Sequence, residues 1–284
     1  MASYYLAKLN INEKILAEKK EFAEIKTELI PNFLCGEEPF TKEMKLYYSK
    51  RSNSPKDKIK SIGWKFTDVV RENDDIIKGN LVKIKTKQSL DLGPKPHDVT
   101  HVVYKDDIAA VNFFYNINSE VFAFKSSTEI PYRDTPSIIE AIFKTNDSDG
   151  HIGEIKVMLK TRTEEITQKL TSGVIKQFEM DFIIPNDKKT TDSIADLLLD
   201  NNVKSATLKG KNDSGILSKD SDGRLRGLIK EIVDLMEKGY ANASFWISKD
   251  IDTKSTVKVT SKKMAQKVDI TAEDNSKDIK SKLS

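Results

Sequence analysis

The sequence predicts an α+β fold with mixed sheets, built from strand–helix–strand units and β-hairpins. Residues 155–159 and 178–184 each alternate apolar with mostly polar side chains, which is the period of a half-buried strand. Between them, Thr161 and Glu164 have the spacing of a capping box, and Gly173 follows a short helical pattern. A short helix between two neighbouring strands favours a right-handed crossover. The whole chain is therefore interpreted around this central unit.

The first 95 residues are predicted to form an N-terminal α/β part. Alternation at residues 5–11 predicts a strand, and Asn12 is placed to cap a helix over about residues 13–29 that Pro31 ends. Three further strands are predicted at residues 44–48, 62–66 and 81–86. The Gly- and Pro-rich run at 92–96 predicts a boundary between two sub-domains.

Residues 96–271 are predicted to form a C-terminal α+β core. A meander is expected first, with a turn at residues 105–107, and Thr135 then caps a helix that has proline at its first position. Beyond the central unit, helices are expected at 192–201 and from about 221 to Lys238. Strands are expected at 203–210, 241–247 and 256–260. Residues 272–284 are rich in Lys, Asp and Ser and are predicted to be a flexible tail.

Composition excludes several classes of protein. The 284 residues carry 47 Lys+Arg against 44 Asp+Glu, and this balance argues against a chain that is basic throughout. The single cysteine, Cys35, rules out an intrachain disulfide and fits a reducing compartment. No stretch approaches the roughly 20 apolar residues of a membrane helix. These features predict a soluble cytoplasmic protein.

Motifs for catalysis and cofactor binding are missing from the sequence. His97 and His101 are four residues apart, but prolines precede them and a strand-like run follows, so they are interpreted as surface or sheet histidines. Cys35 has no histidine near it in the sequence and is interpreted as an ordinary free thiol. There is no nucleophile elbow and no glycine-rich phosphate loop. Neither a cofactor nor a metal site is predicted, and we expect a protein that is not an enzyme.

One arrangement of charged residues leaves a catalytic alternative open. Asp149, Glu154 and Lys156 resemble the two acids and lysine with which many nucleases hold a divalent metal beside the attacked phosphate. The spacing fits poorly, because alternation also places Glu154 and Lys156 on the polar face of an amphipathic strand. A metal-dependent nuclease is therefore the second alternative function.

Lysine-rich faces carry the main functional hypothesis. Lys83 and Lys85 alternate on one predicted strand, while Lys209 and Lys211 end another. Cations grouped in this way can neutralise nucleic-acid phosphates. They can also protect strand edges from aggregation. The predicted binding residues are Lys45, Lys50, Arg51, Lys56, Lys58, Lys60, Lys83, Lys85, Lys209 and Lys211.

A family resemblance adds to this hypothesis. The run at residues 178–185, Phe-Glu-Met-Asp-Phe-Ile-Ile-Pro, precedes a lysine-bearing turn, a helix over 192–199 and a strand over 206–213. This order resembles the C-terminal half of RexA-like phage-exclusion proteins, and also a group of uncharacterised bacterial proteins associated with phage defence. The resemblance covers residues 108–245, and its basic pair falls on Lys209 and Lys211, with Lys209 in place of the family's arginine.

The resemblance implies a cytoplasmic, non-enzymatic homodimer that takes part in abortive infection. It also implies binding of double-stranded DNA with little sequence preference. The first alternative is a protein–protein module, a sensor or immunity partner in a defence or toxin system, that adds a strand to a partner. Salt-sensitive DNA binding would separate the first function from this alternative.

Overall fold

The computed structural model describes residues 2–16, 18–35, 57–91, 101–186 and 193–284, and of residues 57–61, 87–91, 101–106, 193 and 195 it describes the backbone alone. Within these residues, two antiparallel sheets with helices packed on them confirm the α+β class. The strands are β1 (Ala2–Ile11), β2 (Asp57–Arg71), β3 (Ile76–Asp91), β4 (His101–Asn116), β5 (Val121–Phe124), β6 (Ile155–Leu159), β7 (Val174–Ile183), β8 (Ser205–Lys211), β9 (Ala241–Ser248), β10 (Val257–Thr260) and β11 (Lys267–Ile270). The helices are α1 (Lys19–Glu24), α2 (Ile30–Cys35), α3 (Thr135–Asn146), α4 (Thr163–Ser172), α5 (Ser193–Asp200), α6 (Gly227–Lys238) and α7 (Ser276–Lys282).

The first sheet is built around β1. Its strands follow the order β11-β1-β5-β4-β3-β2, and β6 also pairs with β1. One edge of β1 pairs with β5, while its other edge pairs first with β11 and then, from Ala7 to Ile11, with β6. Strands from the beginning, middle and end of the chain therefore share one hydrophobic core.

The predicted sub-domain boundary at residue 95 is wrong. β3 and β4 lie on either side of it and pair along their whole length, from Ile76 opposite Asn116 to Asp91 opposite His101. The turn predicted at residues 105–107 is likewise part of the continuous strand β4. A hairpin of two long strands places residues on both sides of the predicted boundary in one sheet. The predicted strand at residues 44–48 lies outside the described residues.

The N-terminal helix continues past Pro31 instead of ending there. A π-helical turn, Ile25–Leu29, joins α1 to α2, and the Ile30 N–H donates to the Ile25 carbonyl five residues earlier. A π-turn changes the local hydrogen-bond spacing, which accommodates the missing N–H of the proline that follows. Pro31 is buried within α2. No helix in the described part of the chain is long and apolar enough to cross a membrane.

The second sheet has the order β10-β9-β7-β8. Its buried face presents Phe178, Met180 and Phe245 to a core that α4, α5 and α6 complete. β6 belongs to the first sheet and β7 to the second, so the expected crossover within one sheet is wrong. A period of two reveals which face of a strand is buried, but it does not reveal the partner strand.

The predicted capping box at Thr161 is also wrong. α4 begins at Thr163 without a side-chain cap, and Thr161 instead forms an isolated bridge with Ala265. Its backbone N–H donates to the Met236 carbonyl at 3.1 Å. Thr161 therefore pairs with residues distant in the sequence and does not cap the helix, although its local spacing predicts a cap.

The C-terminal segment is an ordered helix, in contrast to the predicted flexible tail at residues 272–284. Asn275 and Asp278 form a reciprocal capping box at the start of α7. Ile279 and Leu283 lie one helical turn apart and are buried against Tyr4, Leu6 and Ile76 of the first sheet. A polar composition concealed two apolar residues at helical spacing.

We expect Ile279→Ala to lower the free energy of unfolding by about 2–4 kcal/mol, because it removes a buried side chain and leaves a cavity. Chemical denaturation would measure the loss, with Lys277→Ala on the exposed side of the same helix as the control. Equal stability of the two variants would mean that α7 does not dock on the first sheet.

Candidate nucleic-acid interface

The structure describes the side chains of four of the ten predicted binding residues: Lys83, Lys85, Lys209 and Lys211. The remaining six lie outside the described residues or on a part of β2 described by its backbone alone: Lys45, Lys50, Arg51, Lys56, Lys58 and Lys60. The four described lysines divide between the two sheets, so they do not form one continuous basic surface.

Lys83 and Lys85 cover the edge of the first core. Lys83 Nζ lies 5.3 Å from the centroid of the Trp64 ring and donates to the Glu129 carbonyl at 2.7 Å. Lys85 forms an ion pair with the Glu129 carboxylate, and its hydrogen bond lowers the pKa of Glu129. The two lysine side chains are only 15% and 17% exposed. This geometry favours a structural role for both residues over phosphate binding.

Lys209 and Lys211 lie on the face of the second sheet that points away from its hydrophobic core. Side chains from all four strands share this face, which we call the open face: Gln177, Glu179, Asp181, Thr207, Lys209, Lys211, Asn242, Ser244, Trp246, Lys258 and Thr260. Alternation along each strand produces it, because every second residue points away from the core. β8 shows the pattern clearly, with exposed residues at every second position from Ser205 to Lys211.

One row across the open face combines a tryptophan with cations. Trp246 is opposite Lys258 of β10 on one side and Gln177 of β7 on the other, and Lys211 of β8 is opposite Gln177. Lys258 Nζ lies 4.6 Å from the centroid of the Trp246 ring. An aromatic ring with ammonium groups along the same row offers both stacking and charge to a ligand.

Two of the lysines on the open face, Lys209 and Lys211, already have carboxylate partners. Lys209 Nζ lies 2.8 Å from Glu179 Oε1, and this hydrogen bond raises the pKa of Lys209. Lys211 Nζ lies 3.5 Å from Asp213 Oδ1. Both lysine side chains remain about two-thirds exposed, at 64% and 67%. Exposed ion pairs of this kind are weak and screened by salt, so a phosphate can replace the carboxylate.

A cavity of about 700 Å³ lies at one end of the open face, lined by Gln177, Lys211, Trp246 and Lys254 among others. Lys176, which also lines the cavity, is the extra residue of a β-bulge between Ile175 and Gln177. Its ammonium donates to the carbonyls of Asp213 and Ile251. Lys176 thereby holds the two loops beyond the sheet in place around the cavity.

Sequence reasoning missed Trp246 as a candidate residue. Its neighbours Ala243, Phe245 and Ile247 alternate, and this pattern places Trp246 on the polar face of β9. A large aromatic residue on a polar strand face was the available signal. What the sequence could not supply was the row of partners, because Lys258, Gln177 and Lys211 come from three other strands.

The nuclease triad receives no support from its geometry. Glu154 forms an ion pair with Lys156 at 2.8 Å, and the hydrogen bond from Lys156 lowers the pKa of Glu154. Asp149 lies on a loop, and its Oδ2 is 4.0 Å from Nε2 of the exposed His151. Among the residues that the structure describes, no group of three or more His, Cys, Asp and Glu side chains could hold a metal ion.

The structure describes the side chain of Cys35 but not those of His97 and His101. His97 lies outside the described residues, and His101 is described by its backbone alone. Cys35 ends α2 and is partly buried, and this burial raises the pKa of its thiol. A raised pKa reduces the thiolate fraction at neutral pH, which fits the interpretation of Cys35 as an ordinary free thiol.

Comparison with known protein families gives one match. A family model described as Domain of unknown function (DUF4747) matches residues 44–284. No curated protein matches the chain. The matched region includes both strands of the β3–β4 hairpin and the whole second sheet, while β1, at the centre of the first sheet, precedes it.

Proposed function

The chain belongs to the DUF4747 family, whose description assigns no activity, and from the geometry of its second sheet we propose that it binds nucleic acid without catalysing a reaction on it. The observation that carries the proposal is the row in which Trp246 lies among Lys258, Gln177 and Lys211 on the open face. Sheets that expose aromatic side chains bind single strands by stacking bases, while lysines contact the backbone.

The geometry favours unpaired strands over a duplex. A base can stack on the Trp246 ring only when it is not already stacked inside a double helix. A base on the ring would displace the Lys258 ammonium, which then becomes available to a phosphate. The lysines attract the phosphate backbone of either form. Duplex DNA, the ligand expected from the sequence, cannot stack a base on Trp246 and therefore binds with lower affinity in this proposal.

The cellular role is a further part of the proposal. Antiviral defence of the abortive-infection type, cytoplasmic location and a homodimer are predictions that depend on the resemblance to RexA-like proteins. A nucleic-acid-binding face without a metal cluster in the described residues is compatible with a sensor in such a system. Binding to invading or exposed single strands would provide its signal.

Salt dependence tests the lysine contribution. We expect Lys209→Glu combined with Lys211→Glu to weaken binding of a fluorescently labelled single-stranded oligonucleotide and to make the slope of log affinity against log salt shallower by about 1.4, since each neutralised phosphate on a single strand contributes about 0.7. Fluorescence anisotropy over a salt series would measure both, and a duplex of the same sequence should bind less tightly.

Lys169→Glu combined with Lys230→Glu is the matched control. It makes the same change in charge at two exposed lysines that lie on helices α4 and α6 and pair with acids one turn away. Equal losses in the two double variants would show that net charge, and not the open face, determines binding, and would refute the proposal.

A protein–protein module is the second candidate, because β8 is an edge strand that pairs only with β7 in the described structure. A partner strand could add to its free edge. Lys209 and Lys211 oppose such pairing, since lysines on edge strands discourage strand addition. Co-purification of one specific protein, with no retention of nucleic acid, would favour this candidate over nucleic-acid binding.

A further inference from the structure

A second concave region, which the lysine patterns do not reveal, lies where the first sheet meets the end of α6. This cleft has a volume of about 510 Å³. Four lysines line it, from β1, the π-helical turn, the end of β6 and the end of α6: Lys8, Lys26, Lys160 and Lys238. Their convergence from four separate elements distinguishes the cleft from a solvated strand face.

Glu120 organises the cleft from within. Its side chain is 2% exposed, and its carboxylate lies 2.9 Å from Lys8 Nζ and 3.4 Å from Lys26 Nζ. Its backbone has a φ of +56°, a conformation that non-glycine residues adopt at a cost. Its carbonyl accepts a hydrogen bond from Leu9 N–H at 2.8 Å, which ties this turn to β1. Lys8 and Lys26 are therefore held in fixed positions at the wall.

The lysines of the cleft exceed its carboxylate side chains. Glu120 is the one acidic side chain among the residues that line the cleft, and Lys8 and Lys26 share its carboxylate. The ammonium groups of Lys8 and Lys26 also donate to the carbonyls of Ser119 and Asn118. Burial, together with the nearby Lys8, lowers the pKa of Lys160, whereas Glu237 outside the cleft acts in the opposite direction. Among the described residues, no carboxylate forms an ion pair with Lys160. An anion in the cleft would relieve this repulsion, and concave low-dielectric walls strengthen its attraction.

We propose that this cleft binds the phosphate group of a small phosphorylated ligand, at a site separate from the open face. A lysine ammonium acts as a point charge toward phosphate, and several of them can surround its oxygens. The volume lies within the range of about 300–1,000 Å³ typical of small-molecule sites, so a mononucleotide fits. Asn118 and Ser119 also line the cleft, so the wall beside the rest of such a ligand is polar.

Isothermal titration calorimetry of the full chain with AMP, inorganic phosphate and adenosine tests the proposal. We expect AMP to bind, adenosine to fail, and Lys160→Met to weaken AMP binding about tenfold or more, the effect of losing one charged hydrogen bond. Lys169→Met, which removes an exposed lysine paired with Glu165, is the control and should bind AMP like the wild type. AMP binding tighter than phosphate indicates a nucleotide ligand, and equal binding indicates free phosphate.

Three outcomes would overturn the proposal: no binding of either AMP or phosphate, AMP binding unchanged in Lys160→Met, or adenosine binding as tightly as AMP. Loss of AMP binding in Trp246→Ala but not in Lys160→Met would move the ligand to the open face and would also count against it. Thermal melting of Lys160→Met controls for folding, since replacing a half-buried lysine by methionine should leave the melting temperature unchanged or raise it. Lys238→Met provides a second, more exposed position if that variant does not fold.

Discussion

Replacing Glu120 with alanine should lower the free energy of unfolding by about 3–5 kcal/mol, because it removes one partner of a buried ion pair. The Lys8 side chain is only 11% exposed and would keep its charge without the carboxylate that compensates it. Alanine retains the unfavourable positive φ, so the change reports the lost charge and not relief of backbone strain. Chemical denaturation with a two-state fit would measure the effect.

Glu129→Ala is the matched control for Glu120. Glu129 also pairs with two lysines, Lys83 and Lys85, but its side chain is 47% exposed. The half-exposed carboxylate contributes little to stability, and Lys83 keeps its hydrogen bond to the backbone carbonyl of residue 129, so we expect a much smaller loss than for Glu120→Ala. If the two variants are equally stable, the Glu120 cluster is not a buried electrostatic centre, and the account of the cleft loses its basis.

Phe245 and Trp246 should give opposite results although they are neighbours on β9. Phe245 is fully buried in the second core, so Phe245→Ala should cost about 3–5 kcal/mol of stability through lost burial and a cavity. Trp246 lies on the open face, and Trp246→Ala should leave stability nearly unchanged while weakening single-strand binding by about 1–3 kcal/mol, the contribution of one stacked base.

Denaturation and oligonucleotide binding, measured on both variants, separate the two roles. A Trp246→Ala protein that unfolds as readily as Phe245→Ala would place the ring in the core. If a stable Trp246→Ala variant binds the oligonucleotide as tightly as the wild type, the Trp246 ring does not contact the nucleic acid. Either result would contradict the assignment of the two sheet faces.

The sequence predicted most of the secondary structure that depends on local pattern. Alternation located β6, β7 and β9. The predicted start of α3 was one residue late, because Thr135 is its first helical residue and Asp134, not Thr135, is at the N-cap. The pairing of strands could not be predicted in this way, since β1 pairs with strands more than 100 residues away. Pairing depends on tertiary packing, and a period of two contains no information about it.

The candidate sites show the same limit. The lysines of β8 were identifiable from their alternation. Trp246 becomes a candidate binding residue only because its neighbours in the sheet, Lys258, Gln177 and Lys211, come from three other strands. The cleft around Glu120 has no sequence signature, because its lysines come from separate elements at unrelated spacings. For α7 a signal existed in Asn275, Asp278, Ile279 and Leu283, and the polar composition around them concealed it.

Fluorescence of Trp246 during oligonucleotide binding tests the central claim most directly. The chain has two tryptophans, and Trp64 is buried in the first core, so a Trp64→Phe background leaves Trp246 as the single reporter. We predict saturable quenching when a single-stranded oligonucleotide is added, with weaker quenching by the duplex. Unchanged Trp246 emission at concentrations where anisotropy shows full binding would contradict the account, because the nucleic acid would then lie elsewhere on the protein.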